Sequence, residues 1–246
     1  MNQNKYIITC ISTQRAENVQ KIQNKFPNHD LVFFVSKNEG NSYKMFGAKE
    51  VYECERNICD ARNKAFLYAK ERGLYCVQTS DDLQSIHIVN NNKKLICRTD
   101  DAIIDIITMM EMKGALIGGV SITNNILNYK QDWSYNKLIV NDLIVISPKN
   151  DILYDTAAFL KEDYDMFIMQ MQKYGVVVRA DKYLCGYPHR ENKGGGNTYR
   201  TYETEKKQNE YVMNKHNGLI IPHTRRLNQI SINYKALNEH NRSKSK

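Results

Sequence analysis

The chain has 246 residues, of which 41% are hydrophobic and 25% charged, with a formal net charge of +8. That composition excludes a disordered polymer and allows one large α/β domain with a real core. No apolar run approaches the ~20 residues of a membrane-spanning helix, and Met1–Lys5 lead into nothing like a signal peptide. Six cysteines (10, 54, 59, 76, 97 and 185) are scattered without a Cys-x-x-Cys pair, several of them inside apolar runs. A reduced, cytoplasmic protein with no membrane association and no obligate protein partner is expected.

In chain order, Tyr6 to Ile11 reads as a short apolar strand ending in Ser12, Thr13 and Arg15, followed by a weakly amphipathic helix to about Lys25. Leu31 to Val35 is a second buried strand. Val51 to Cys54 is a third, followed by a helix in which Ile58, Ala61, Ala65, Leu67, Tyr68 and Ala69 recur at near-helical spacing until Gly73. Leu74 to Val77 is a fourth, ending in Ser80-Asp81-Asp82. Alternating strand and helix predicts a mostly parallel sheet flanked by helices, with polar groups gathered after each strand. Ala102 to Met112 is a further helix capped near Asp100 or Asp101, and Ala115 to Ser121 a strand whose Gly118-Gly119 marks a close approach to the backbone. From Asn124 to Lys149 the pattern suggests a small antiparallel, hairpin-like insertion. Leu153 to Tyr174 reads as helix, Val176 to Ala180 as strand, Tyr187 to Tyr199 as a charged, Gly-rich loop, and Glu203 to Lys215 as a polar surface helix.

From Pro222 to Lys246 there are six basic residues against Glu239, a net of +5. This divides the chain into a domain over 1–221 and a basic tail over 222–246. Such a segment suits a polyanionic partner, or is merely a solubilising end.

In an open α/β sheet ligands bind beyond the carboxyl ends of the strands, which is where Asp81 and Asp82 fall. Two adjacent acids can be no more than a solvated turn. Here the preceding helix carries Arg62, a forked donor to phosphate or carboxylate oxygens, and Asn63, which bonds in both senses. A helix starting near the strand tips also favours an anion at its N-terminal end.

Cys59-Asp60-Ala61-Arg62-Asn63, followed by an apolar strand and Ser80-Asp81-Asp82, resembles the nucleotide-sugar-binding half of GT-A glycosyltransferases, a Rossmann-type fold. The acidic tip is similar to their Asp-x-Asp motif, with Ser80 in place of the first acid. The resemblance implies a nucleotide-sugar donor (a UDP-sugar) and Mn²⁺ or Mg²⁺ on Asp82 and Asp81, hard oxygen ligands that suit these cations better than zinc. It implies that Thr9, Ser12, Thr13 and Arg15 hold the base and ribose, with Arg62, Asn63, Ser80 and Asp81 on the donor. In Leu160-Lys161-Glu162-Asp163 it implies Asp163 as the general base of an inverting transfer, with Glu162 orienting the acceptor. In Tyr187-Pro-His189-Arg190 through Lys193, Gly194-Gly195-Gly196 and Arg200 it implies His189 on the metal. Lys193 and Arg200 would then neutralise the leaving diphosphate.

The small size, the Gly-Gly-Gly-Asn-Thr-Tyr-Arg segment and the basic end look most like the TET-associated DNA glycosyltransferases of bacteriophages, relatives of the base J glucosyltransferase. That implies a hydroxymethylated pyrimidine in DNA as acceptor, in a host's cytoplasm. Tyr129, Trp133, Tyr135, Arg190, Gly195 and Gly196 are then the acceptor side, because a base must leave its stack or be wedged open to be modified. A surface saccharide or protein acceptor is one alternative; a degenerate GT-A scaffold that only binds nucleic acid is another.

Overall fold

β1 (Tyr6–Ser12) is buried along almost its whole length, as a strand must be when helices cover both faces of its sheet. The computed structural model describes residues 5–121, 124–187 and 200–244. After β1 come α1 (Val19–Gln23), β2 (Val32–Ser36), α2 (Gly40–Met45), β3 (Glu50–Cys54), α3 (Ile58–Glu71) and β4 (Tyr75–Ser80). Then follow β5 (Ser85–Asn90), β6 (Lys93–Ile96), α4 (Thr99–Lys113), β7 (Ile117–Val120), β8 (Trp133–Ser134) and β9 (Leu143–Ile146). The described chain continues with α5 (Glu162–Tyr174), β10 (Val178–Ala180), β11 (Tyr183–Gly186), α6 (Tyr202–Lys215), β12 (Ile220–Pro222), β13 (Ile230–Ile232) and α7 (Tyr234–Lys244).

The main sheet has eight strands in the order β3-β2-β1-β4-β9-β7-β10-β8. β1, β2, β3 and β4 are mutually parallel, as are β7 and β10, while β9 and β8 run against their neighbours. The result is a mixed α/β, mostly parallel sheet compatible with a Rossmann-like architecture. Side chains alternate between two cores. Ile8 and Cys10 join the first with Ile22, Ile103, Ile106 and Met110, whereas Ile11 joins the second with Ala65, Phe66, Phe167 and Val212. Gly118 and Gly119 are there for packing: a Cβ at Gly118 would lie 2.7 Å from Ile106 and from Met110 of α4, and one at Gly119 would strike Ile139.

Strand order steps from β1 outward to β2 and β3, then returns to β4 on the other side of β1. The winding reverses between β1 and β4, so their carboxyl ends, Ser12 and Ser80, flank the switch point, the place where ligands of such sheets bind.

Three expectations change. Residues 124–149 are not a hairpin, because β8 pairs with β10 and β9 lies between β4 and β7. The small antiparallel sheet is instead β11-β5-β6, whose β5–β6 hairpin turns through Asn91 and Asn92, both at positive φ. That is the asparagine chemistry of a tight hairpin turn. The helix expected from Leu153 begins only at Glu162, after an irregular stretch of turns. Finally, residues 222–244 are folded: Ile230, Ile232 and Leu237 are buried in the second core.

Candidate functional site at the carboxyl edge of the sheet

The loop after β1 makes a sharp return. Gln14 adopts a left-handed φ of 56°, a conformation that a non-glycine residue holds only when its neighbours enforce it. Glu39 enforces it, accepting from the Gln14 N–H at 2.9 Å and from the Thr13 hydroxyl at 3.1 Å. The return aims Arg15 back at the tip of β4. Its guanidinium reaches Asp81 at 2.8 Å and Asp82 at 3.1 Å.

Asp81 is almost fully buried, at 1% exposure, and Asp82 is more open. Ser12 donates to Asp81. With its one proton spent there, the Ser12 oxygen accepts from Tyr43, 2.5 Å away, and the Tyr43 oxygen accepts from the Arg15 N–H at 3.3 Å. This relay locks loop, helix α2 and acid together. Tyr43 carries no local signal of this role, since α2 has no apolar period and the bond to Ser12 spans 31 residues. Burial pushes the Asp81 carboxyl up to about 7, against the opposing pull of Arg15 and Ser12.

The second cluster forms where α5 begins. Arg62 on α3 is buried; it donates to Gln78 of β4 at 3.2 Å and to the Asn141 carbonyl at 3.1 Å, and lies 3.7 Å from Glu162. Burial, then the neighbouring Asp163, push Glu162 up to about 7. Burial raises Asp163 as well, with its Oδ1 accepting from the Tyr164 N–H at 2.9 Å. The two clusters are joined by the turn before β9: Ser80 N–H bonds the Asp142 carbonyl at 3.2 Å, next to the Asn141 carbonyl that holds Arg62. Tyr187 closes this side, donating to the Asp142 carbonyl at 2.8 Å, with Asp82 near enough to raise its phenol further.

The structure thus brings Ser12, Thr13, Arg15, Ser80, Asp81, Asp82, Arg62, Glu162 and Asp163 to the edge where the strands end. Several other expected residues are elsewhere. Thr9 lies inside the sheet, fully buried, its hydroxyl given to the Val77 carbonyl at 3.1 Å. Asn63 is a structural clamp: its amide donates to the Tyr154 carbonyl at 2.8 Å and accepts from the Tyr154 N–H at 2.7 Å. Arg62 is engaged within the protein by Gln78 and the Asn141 carbonyl, with Glu162 3.7 Å away. The N-terminal end of α3 already holds an anion of its own, since Asp60 accepts from the N–H groups of Glu55 and Arg56.

The aromatic acceptor residues are also displaced. Trp133 sits on β8, the outermost strand, with Lys182 5.0 Å above its ring. Tyr135 bonds the N–H of Val177 at the amino end of β10, the opposite edge from the acids, and carries Lys113 on its ring at 4.8 Å. Tyr129 donates to Asp132 at 2.5 Å. Trp133 and Tyr135 finish an edge of the sheet. Arg200 is exposed at the approach to α6. His189, Arg190, Lys193, Gly195 and Gly196 lie outside the described residues.

Among the described residues no group of three or more His, Cys, Asp or Glu side chains is disposed to hold a metal ion. The donor chemistry present fits a hard cation held through Asp82 and completed by a ligand's phosphates and water, the usual way Mg²⁺ is bound. Asp81 fits less well, since Ser12 and Arg15 already engage its two oxygens. Among the described residues no helix is long and apolar enough to cross a membrane. A scan against protein-family models gives no match, and a search of curated proteins gives none either.

Proposed function

We propose that the chain is a GT-A-type glycosyltransferase that moves a sugar from a nucleotide diphosphate to a hydroxyl, with a hydroxymethylated pyrimidine of DNA as acceptor. One observation carries this reading. Two acid pairs, Asp81-Asp82 gripped by Arg15 and Glu162-Asp163 beside Arg62, share the carboxyl edge at the β1/β4 switch point, joined through Asn141-Asp142. That place suits a nucleotide, and Arg15 is a fork matched to phosphate oxygens. A Mg²⁺ or Mn²⁺ ion on Asp82 would, when bound, neutralise charge on the diphosphate.

The protein's own part follows from its charges. Arg15 leaves the acids in part to meet the incoming phosphates, and Ser12 and Tyr43 keep Asp81 in place while it does so. Asp163, in its ionised form, takes the proton of the acceptor hydroxyl. That oxygen bonds to the anomeric carbon as the carbon–oxygen bond to the diphosphate breaks, and the electron pair leaves with the phosphate. Glu162, steadied by Arg62, orients the hydroxyl. The basic surface described below supports DNA as acceptor.

The direct test incubates the protein with a panel of nucleotide sugars, Mn²⁺ and either hydroxymethylated or plain DNA, then digests the DNA to nucleosides and weighs them. A sugar-bearing hydroxymethyl nucleoside formed only from modified DNA is the expected result. Hydrolysis of the donor without any DNA product would remove the acceptor, and no turnover of any donor would remove the reading.

A further inference from the structure

The basic end of the sequence does not trail away. β12 and β13 pair in antiparallel register, with Ile220 opposite Ile232 and Pro222 opposite Ile230. Their connection carries Arg225, Arg226 and Leu227, all exposed, with Leu227 at 87%. This tip is held rigidly. Asn209, inside α6, donates to the Asn228 carbonyl at 2.9 Å, and Asn228 donates to the Tyr202 carbonyl at 3.1 Å. Its place beside the second acid pair is also fixed. Tyr164, the residue after Asp163, donates to the Ile230 carbonyl at 3.3 Å, and its phenol senses the charge of Arg226.

The tip therefore presents two arginines with no carboxylate partner among the described residues, next to the start of α5. Tyr202, 56% exposed, belongs to the same rim, and so does the exposed Arg200. Of the acids on this side, Glu205 is matched by Lys161 at 3.0 Å and Glu203 stands exposed on the first turn of α6. An isolated exposed leucine says little. One that follows two arginines without a carboxylate partner among the described residues, with an exposed tyrosine on the same rim, has the make-up of a surface that grips phosphates and packs on bases.

Building on the proposed function, we infer that the β12–β13 tip, Arg225 to Leu227 with Tyr202, is a docking surface for the DNA backbone that delivers the acceptor to the Glu162-Asp163 end of the site. Each arginine neutralises a phosphate and releases condensed counterions, and Leu227 and Tyr202 cover the sugar and base faces between them. The affinity gained here is independent of sequence. It sets the position of the strand, while the site at the switch point selects the base.

The test is fluorescence anisotropy of the full chain with a labelled DNA duplex across a salt series. It compares the wild type, Arg225→Glu/Arg226→Glu, and the control Lys21→Glu/Lys149→Glu, which changes net charge equally on exposed residues elsewhere. The tip variant should bind at least about tenfold more weakly, with a log–log salt slope shallower by about two, while the control stays close to wild type. Both variants should bind the nucleotide-sugar donor like the wild type, which shows that the fold is intact. If wild type binds DNA and the tip variant binds as tightly as the control, this surface is wrong and the acceptor reading stands. If wild type binds no DNA, the acceptor reading fails and takes this surface with it.

Discussion

Each of the two acid pairs at the carboxyl edge is served by one arginine, yet the two arginines act differently. At the β4 tip, Arg15 reaches both carboxylates, at 2.8 and 3.1 Å, and Ser12 adds a further donor. At the start of α5, Arg62 gives its hydrogen bonds to Gln78 and to the Asn141 carbonyl and stands 3.7 Å from Glu162 alone. Both clusters sum formally to one cation and two acids. The first is organised around a guanidinium whose partners can be exchanged for phosphate, which suits binding. In the second, burial pushes both carboxyls up, as it does Asp81 in the first, while Arg62 spends its hydrogen bonds elsewhere, which suits proton transfer. Geometry, not composition, separates the roles.

Removing the base should have the largest effect. Asp163→Asn keeps shape and loses basicity, so turnover should fall by about 10²–10⁴-fold while calorimetry shows donor affinity unchanged. Asp82→Ala should cost about 10²–10³-fold in turnover and, unlike Asp163→Asn, weaken donor binding in the same titration. Loss of donor affinity in both variants alike would erase the distinction between the clusters. A smaller effect is expected at Asn63→Ala, which releases both bonds to Tyr154. Stability should drop by about 1–3 kcal/mol in denaturant melts, with donor affinity intact. A donor-binding defect there would return Asn63 to the site.

What was legible in the sequence follows from where each signal resides. The first four strands and α3 were readable because apolar runs of the right length ended in turn residues, and the acids at Asp81-Asp82 inherited their position from β4. Glu162 and Asp163 were legible only through the resemblance, because the helix read from Leu153 ran through the irregular 153–161 stretch and hid the true start at Glu162. The β5–β6 hairpin went unnoticed because its signal is Asn91-Asn92, not a glycine turn, and because β6 is exposed throughout, so it shows no alternation. Trp133 and Tyr135 were misplaced for a different reason. Aromatic content marks burial or binding equally, and only the pairing of β8 with β10 shows that they finish the outer edge of the sheet. Tyr43 and the Arg15 return are long-range. No local pattern announces that a tyrosine on α2 will bond a serine 31 residues earlier.

The least dramatic test concerns protons. Glu162 ordinarily titrates near 4.5 and Asp81 near 3.8, and burial raises both to about 7 in the folded chain. A carboxyl whose folded value exceeds its unfolded value stabilises most at low pH. That contribution is lost as pH climbs from about 4 through about 7, so melting temperature should decline across this window and level off above it. Acids shifted the other way do not blur the trend, because Asp155, held down to about 2 chiefly by Lys215 and Tyr211 against its own burial, acts only below pH 4. Catalysis has the opposite sign, since an ionised base is required and burial raises Asp163, so turnover should rise with pH. Glu162→Gln removes one of the three raised groups and should make the melting-temperature slope between pH 5 and 7.5 shallower without abolishing it, Asp81 and Asp163 supplying the rest. An unchanged slope would mean that Glu162 titrates as an ordinary surface acid.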